Sequence, residues 1–165
     1  MQELQFFTSN EKKELLSLYR KFLHTNDNIS TDTLTLLKQH LKKAAQSNQL
    51  VRNNFGMNPI IRDLRTALIV SEEIGMKGNI LIGILLNEVV KSKIVSIDEI
   101  VKCYGDEVAV IIKGLVKTNE VYKKSAAVES ENFRNLLISF AEDMRVILIM
   151  IADRVNIMRN IRDTP

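Results

Sequence analysis

Residues 145–159, RVILIMIADRVNIMR, decide the fold. Val146 through Ala152 form an unbroken apolar run, and Val155, Ile157 and Met158 continue it at helical spacing. That pattern predicts a core helix covered on most sides by other helices, with the rest of the chain arranged around it. Asp153 interrupts the run. A carboxylate at such a position is costly unless it is paired, hydrogen-bonded or bound to metal. The structural reading is an ion pair, with Arg154 or with a lysine from a neighbouring helix. What else faces Asp153 therefore decides the function.

Working outward, 165 residues suffice for one domain with a real core and are too few for two comfortable ones. Two prolines, six glycines and no tryptophan favour helices over a turn-rich β architecture. A formal charge of +3 without a dense Lys/Arg stripe points away from nucleic-acid binding and toward an ordinary solvated surface. Cys103 is the only cysteine, so an internal disulfide and a thiolate-built zinc cluster are excluded. His24 and His40 have no second histidine or cysteine at ligand spacing along the chain, and surface or helix-end roles are expected for both. The N-terminus lacks a signal-peptide pattern and no apolar run reaches spanning length, so a cytoplasmic protein without membrane contact is expected.

Helix signals then follow in order. Thr8 and Glu11 have capping-box spacing and open a helix over about 10–23. A second helix opens at Ser30 or Thr31, and a third after the loop 52–58, with Pro59 in its first turn. The third buries Ile60, Ile61, Leu64, Ala67, Leu68 and Ile74 and stops at Gly75. Gly78-Asn79 starts a fourth that is apolar nearly all round, with Asn87 and Glu88 as polar residues in apolar company. Ser96 and Glu99 cap a fifth helix ending near Tyr104, and Asp106 opens a sixth. Residues 117–131 lose periodicity and gain charge, which predicts a mobile loop or a frayed helix start. A seventh helix carries Phe133, Leu136, Leu137, Phe140 and Ala141 into the core helix. The prediction is an all-α fold of about eight helices in one compact domain, with residues 1–50 as an N-terminal helical pair and 51–165 as the core.

Three blocks carry a family resemblance. GMKGNILIGILLNEVV (75–90) is similar to an apolar run that ends LLHDVVED in the N-terminal hydrolase domain of RelA/SpoT-type proteins, which make and break (p)ppGpp. SIDEIVKCYGDEVAVIIKGLVKT (96–118) and ENFRNLLISFAEDMRVILIMIADRVNIMRNI (131–161) resemble two further blocks of that domain, in the same order. The resemblance covers about two-thirds of the chain. It implies the HD phosphohydrolase fold, in which two histidines and two aspartates hold one divalent ion that activates water. An acidic pair one turn further on assists.

Carried over one by one, those positions are changed. The first histidine falls on Asp63, the His-Asp pair on Asn87 and Glu88, and the acidic pair on Lys91 and Ser92. Only the last aspartate remains, as Asp153, while a following His-Asn becomes Asn156-Ile157 and a preceding lysine becomes Met150. Asn87 offers an amide in place of an imidazole. Glu88 moves its oxygens by roughly an ångström, and Lys91 sets a cation where a catalytic carboxylate belongs. No metal cofactor is expected, the carboxylates being neutralised by Lys91, Arg62 or Arg154 instead. An oxygen-only Mg²⁺ or Mn²⁺ site on Asp63, Glu88 and Asp153 is the alternative.

The expected function is a degenerate, non-catalytic domain that regulates an adjacent (p)ppGpp synthetase, a GTP pyrophosphokinase, lying beyond residue 165. On this reading the chain is a piece of a longer protein and the synthetase domain is its partner. Two alternatives stand beside it. One is a guanine-nucleotide sensor using Arg52, Arg62, Lys91, Arg154 and Asn156; the other is an active hydrolase with an altered metal set.

Overall fold

The computed structural model describes residues 6–125 and 144–161. Helix α1 spans Ser9–Thr25, α2 Thr31–Gln46, α3 Pro59–Ile69, α4 Asn79–Lys91, α5 Ile97–Tyr104, α6 Asp106–Ser125 and α7 Met144–Ile161. No strand occurs among the described residues, so the all-α expectation holds. The expected helix over 133–141 lies outside the described residues.

Local signals set most of the boundaries. Thr8 and Glu11 form a full capping box at α1: Glu11 N–H donates to Thr8 Oγ1 at 3.2 Å and Thr8 N–H to Glu11 Oε2 at 3.0 Å. Ser30 and Ser96 cap α2 and α5 by accepting from Thr33 and Glu99 N–H. Asn58 caps α3 by accepting from Ile60 N–H at 3.0 Å, ahead of Pro59, whose missing donor costs nothing at that position.

Three features depart from the sequence expectation. The third helix does not run uniformly to Gly75, because Val70–Ile74 forms a π turn that ends at Gly75 with φ +84°, where Met76 N–H donates to Val70 O. That wide turn rolls Ile74 out of the core and leaves it 36 % exposed. Residues 117–125 are not a loop; they continue α6 to Ser125. The rest of that expected loop, 126–131, lies outside the described residues.

The third departure concerns the centre. α4, not the helix at 144–161, is the most buried element: Ile80 through Asn87 are all buried, with Leu81 and Leu86 inaccessible. α4 packs chiefly on α6 and α3, and also on α2. Glycine permits the closest approach, since a Cβ on Gly83 would lie 2.8 Å from Ile111 Cγ2 and 3.2 Å from its Cβ. The α6–α7 crossing repeats the device at Gly114, where a Cβ would meet Val146 Cγ2 at 2.7 Å. α7 buries Val146, Ile149, Ala152 and Asn156 against α3 and α6. It leaves Ile151 and Met158 more than half exposed, so its long apolar run covers one buried face and one open one. α1 packs on α3, and the α1–α2 pair contributes Phe22, Leu37, Ala44 and Ala45 to the same core as α3–α7.

Candidate functional site

Three helices bring polar side chains to a small cavity of about 70 Å³, which Leu115 of α6 also lines. α3 contributes Arg62, Asp63 and Thr66, α4 contributes Asn87, Glu88 and Lys91 one turn apart, and α7 contributes Asp153. Asp63, Asn87, Glu88 and Asp153, scattered over 91 positions of sequence, thus line one cavity together with Lys91. Ser92 lines only the wider cleft of about 520 Å³ next to it, which also takes in Arg52, Arg62, Glu88 and Lys91.

Asp153 is half-buried, and its partner is Arg62 rather than Arg154 or a lysine. Arg62 Nε donates to Asp153 Oδ1 at 2.9 Å and Nη2 to Oδ2 at 2.5 Å, the fork geometry in which both carboxylate oxygens are used. Thr66 Oγ1 adds a third bond to Oδ1 at 3.3 Å. Burial works against the guanidinium charge, but the bonds to Asp153 outweigh it and raise the Arg62 pKa further above its ordinary value. One turn along α7, Asn156 Nδ2 donates to Arg62 O at 2.9 Å and to Thr66 Oγ1 at 3.3 Å. Asp153 and Asn156 therefore clamp α7 onto one face of α3, and Arg154, the residue between Asp153 and Val155, is exposed.

Asp63 is 8 % exposed. Burial first, and the nearby Glu88 carboxylate second, push its pKa well above the ordinary carboxylate range; Arg62 and Lys91 offset this only in part. A carboxyl whose folded pKa lies above its unfolded one contributes stability that is full below the unfolded value of 3.8 and is lost as pH rises through the folded pKa. Asp63→Asn should remove that loss, so the gap in melting temperature between variant and wild type should widen from pH 4 to pH 8. A constant gap across that range would show Asp63 to be ordinarily ionised. Glu11 has the opposite sign: its bonds to Arg52 lower its pKa, and its contribution is lost as pH falls through the acid range.

The remaining basic residues have defined places. Arg52 donates to both Glu11 oxygens, at 2.6 and 2.8 Å, and also to Phe6 O and Gly56 O, which makes it a tie between the 51–58 segment and the start of α1. Lys91 Nζ lies 4.0 Å from Glu88 Oε1 and faces both the cavity and the cleft. Asn87 Oδ1 is buried without a hydrogen-bond partner in the structure.

A second cluster was invisible to linear spacing. The ligand atoms of His40 on α2 and of Glu99 and Cys103 on α5 lie within 4.8 Å of one another. The only sequence signal was the i, i+4 interval of Glu99 and Cys103, which puts them on one helix face. His40 joins them only through the packing of α2.

The sequence profile described as HD domain matches residues 41–165, beginning inside α2. The guanosine-3′,5′-bis(diphosphate) 3′-pyrophosphohydrolase of Aquifex aeolicus (strain VF5) is 34 % identical over 97 residues, 59 % of this chain and 14 % of that protein. A probable GTP pyrophosphokinase of Mycobacterium leprae (strain TN) is 30 % identical over 80 % of this chain and 16 % of its own length. The GTP pyrophosphokinase of Streptomyces coelicolor is 26 % identical over 93 % of this chain and 18 % of its own. The chain thus spans less than a fifth of the length of these relatives. No helix among the described residues is long and apolar enough to cross a membrane. Helical architecture and sequence matches agree, and the chain belongs to the HD domain family, with RelA/SpoT-like proteins of (p)ppGpp metabolism as its relatives.

Proposed function

We propose that this is a pseudo-hydrolase domain that regulates a (p)ppGpp synthetase joined to it. The observation that carries the reading is the Arg62–Asp153 fork, a guanidinium standing where a metal ion would meet the last aspartate. None of Asp63, Asn87, Glu88 and Asp153 offers an imidazole. Arg62 uses both oxygens of Asp153. This donor set does not fit a histidine-held transition metal, and a hard cation on Asp63, Glu88 and Asp153 would first have to displace Arg62 from Asp153. Lys91 and Ser92 leave the catalytic acidic pair without a carboxylate. Arg62 and Thr66 with Asp153 and Asn156 hold α3 and α7 together instead.

A domain that acts by contact needs a face to offer. Met144, Ile151 and Met158, spaced seven residues apart, form one stripe along α7, and they are 66 %, 52 % and 62 % exposed. The partner for that stripe is the adjacent synthetase domain of the kind that the GTP pyrophosphokinase relatives are named for. Direct contact with nucleic acid and with membrane forms no part of the function.

The purified chain should show no (p)ppGpp hydrolysis with added Mn²⁺ above the protein-free rate. Turnover that scales with Mn²⁺ and disappears in Asp153→Asn would overturn the pseudo-hydrolase reading and establish an atypical oxygen-ligand metal site. A nucleotide-sensing reading is favoured by one observation, the 520 Å³ cleft faced by Lys91 and Arg62. Heat released on titrating (p)ppGpp into the chain, and absent in Lys91→Ala, would move the function to that reading.

A further inference from the structure

The His40–Glu99–Cys103 cluster lies outside the α3–α4–α7 cleft and has no part in the function proposed above. His40 is 7 % exposed, and its ring is held in place by Tyr104, with Nδ1 2.6 Å from the phenolic oxygen and the ring centroids 5.5 Å apart. That bond occupies Nδ1 and turns Nε2 toward α5, where Glu99 Oε1 lies 3.5 Å away. Cys103 is one helical turn after Glu99, and all three ligand atoms fall within 4.8 Å of one another.

We propose that His40 Nε2, Cys103 Sγ and a Glu99 carboxylate oxygen form a binding site for a borderline divalent transition metal, of which Zn²⁺ is the best match. One nitrogen, one sulfur and one oxygen suit such an ion and exclude Mg²⁺ and Ca²⁺, which take oxygen donors. Bonds of about 2.0–2.3 Å at tetrahedral angles place ligand atoms roughly 3.3–3.8 Å apart. The cluster reaches that spacing through rotation of Glu99, whose side chain is 44 % exposed, and of the half-buried Cys103, while buried His40 stays fixed. Tyr104 is the orienting partner. Its hydroxyl accepts the Nδ1 proton, which leaves the Nε2 lone pair for the metal. Cys103 binds as the thiolate and releases its proton to solvent. Three protein ligands leave the fourth position open to water or to a ligand from another molecule. The ion would join α2 to α5 and so brace the N-terminal helices against the core.

The test uses the whole 165-residue chain, stripped of metal, with Co²⁺ as a spectroscopic probe and Zn²⁺ in competition. The expected result is one equivalent of Co²⁺ bound with a thiolate-to-metal charge-transfer absorption, displaced by Zn²⁺, and a rise in melting temperature with either ion. Cys103→Ser abolishes the absorption, and Glu99→Gln weakens binding. Tyr104→Phe, which touches no ligand atom of the ion, weakens it by about 10–100-fold. Asp63→Asn, in the other cleft, leaves it unchanged. Cys103 and Glu99 are only partly buried, so both variants should keep the wild-type melting temperature without metal. Absence of the absorption in the wild-type chain, or metal binding that survives Cys103→Ser, overturns the proposal. Binding lost in Asp63→Asn overturns it too, and would place the ion in the α3–α4–α7 cleft.

Discussion

Asp153→Ala should destabilise the fold by about 2–3 kcal/mol, a drop in melting temperature of roughly 5–10 °C for a chain of this size. The substitution removes both acceptors of the Arg62 fork and leaves a partly buried guanidinium without its hydrogen-bonded counter-charge, with only the more distant Asp63 and Glu88 to offset it. A fully buried pair broken in this way costs about 3–5 kcal/mol; here about a quarter of each side chain remains in water, which screens the stranded charge. The control is the double variant Arg62→Met, Asp153→Leu, which removes both charges and refills the volume. It should recover most of the loss, because the cost lies in the unpaired charge and not in the absence of the pair. A denaturation midpoint in Asp153→Ala within error of wild type would show that Arg62 simply turns to solvent. Equal losses in the single and double variants would instead place the effect in packing around Thr66 and Asn156.

On the regulatory reading proposed above, introducing charge on the exposed α7 stripe, in a polypeptide that joins this domain to a (p)ppGpp synthetase domain, should change synthesis about 5- to 150-fold, the range of a coupling free energy of about 1–3 kcal/mol. Ile151→Glu with Met158→Glu is the sharper test than deleting residues 1–165. Both positions are more than half exposed, and surface substitutions of that kind shift domain stability by only about 0.5 kcal/mol. The two changes should act in the same direction as deletion and leave the isolated domain's melting temperature unaltered. Changing Asp63 and Asn87 to histidine should leave synthesis where it was, since no catalytic repair is being asked of the cleft. Synthesis rates equal in all these variants would remove the regulatory role and leave nucleotide sensing as the function to pursue.

Sequence alone determined what is local. Capping residues at Thr8, Ser30 and Ser96, Pro59 in the first turn of α3 and the glycine stop at Gly75 place those helix ends within a turn of where they fall, because each rests on residues within a few positions of one another. The matching blocks of residues were equally legible, and they identified Asp63, Asn87, Glu88 and Asp153 as positions that belong together.

Tertiary structure decided everything that depends on which faces meet. Apolar content put the helix at 145–159 at the centre, and only packing gave that place to α4 and left Ile151 and Met158 in solvent. Sequence offered Asp153 three candidate cations, but the choice of Arg62 depends on the α3–α7 crossing, which brings together residues 91 positions apart. The meeting of His40 with Glu99 and Cys103 is decided in the same way. Hydrophobic periodicity tells a helix which side to bury but not against which neighbour, and a polar cluster shared by three helices exists only once the neighbours are chosen.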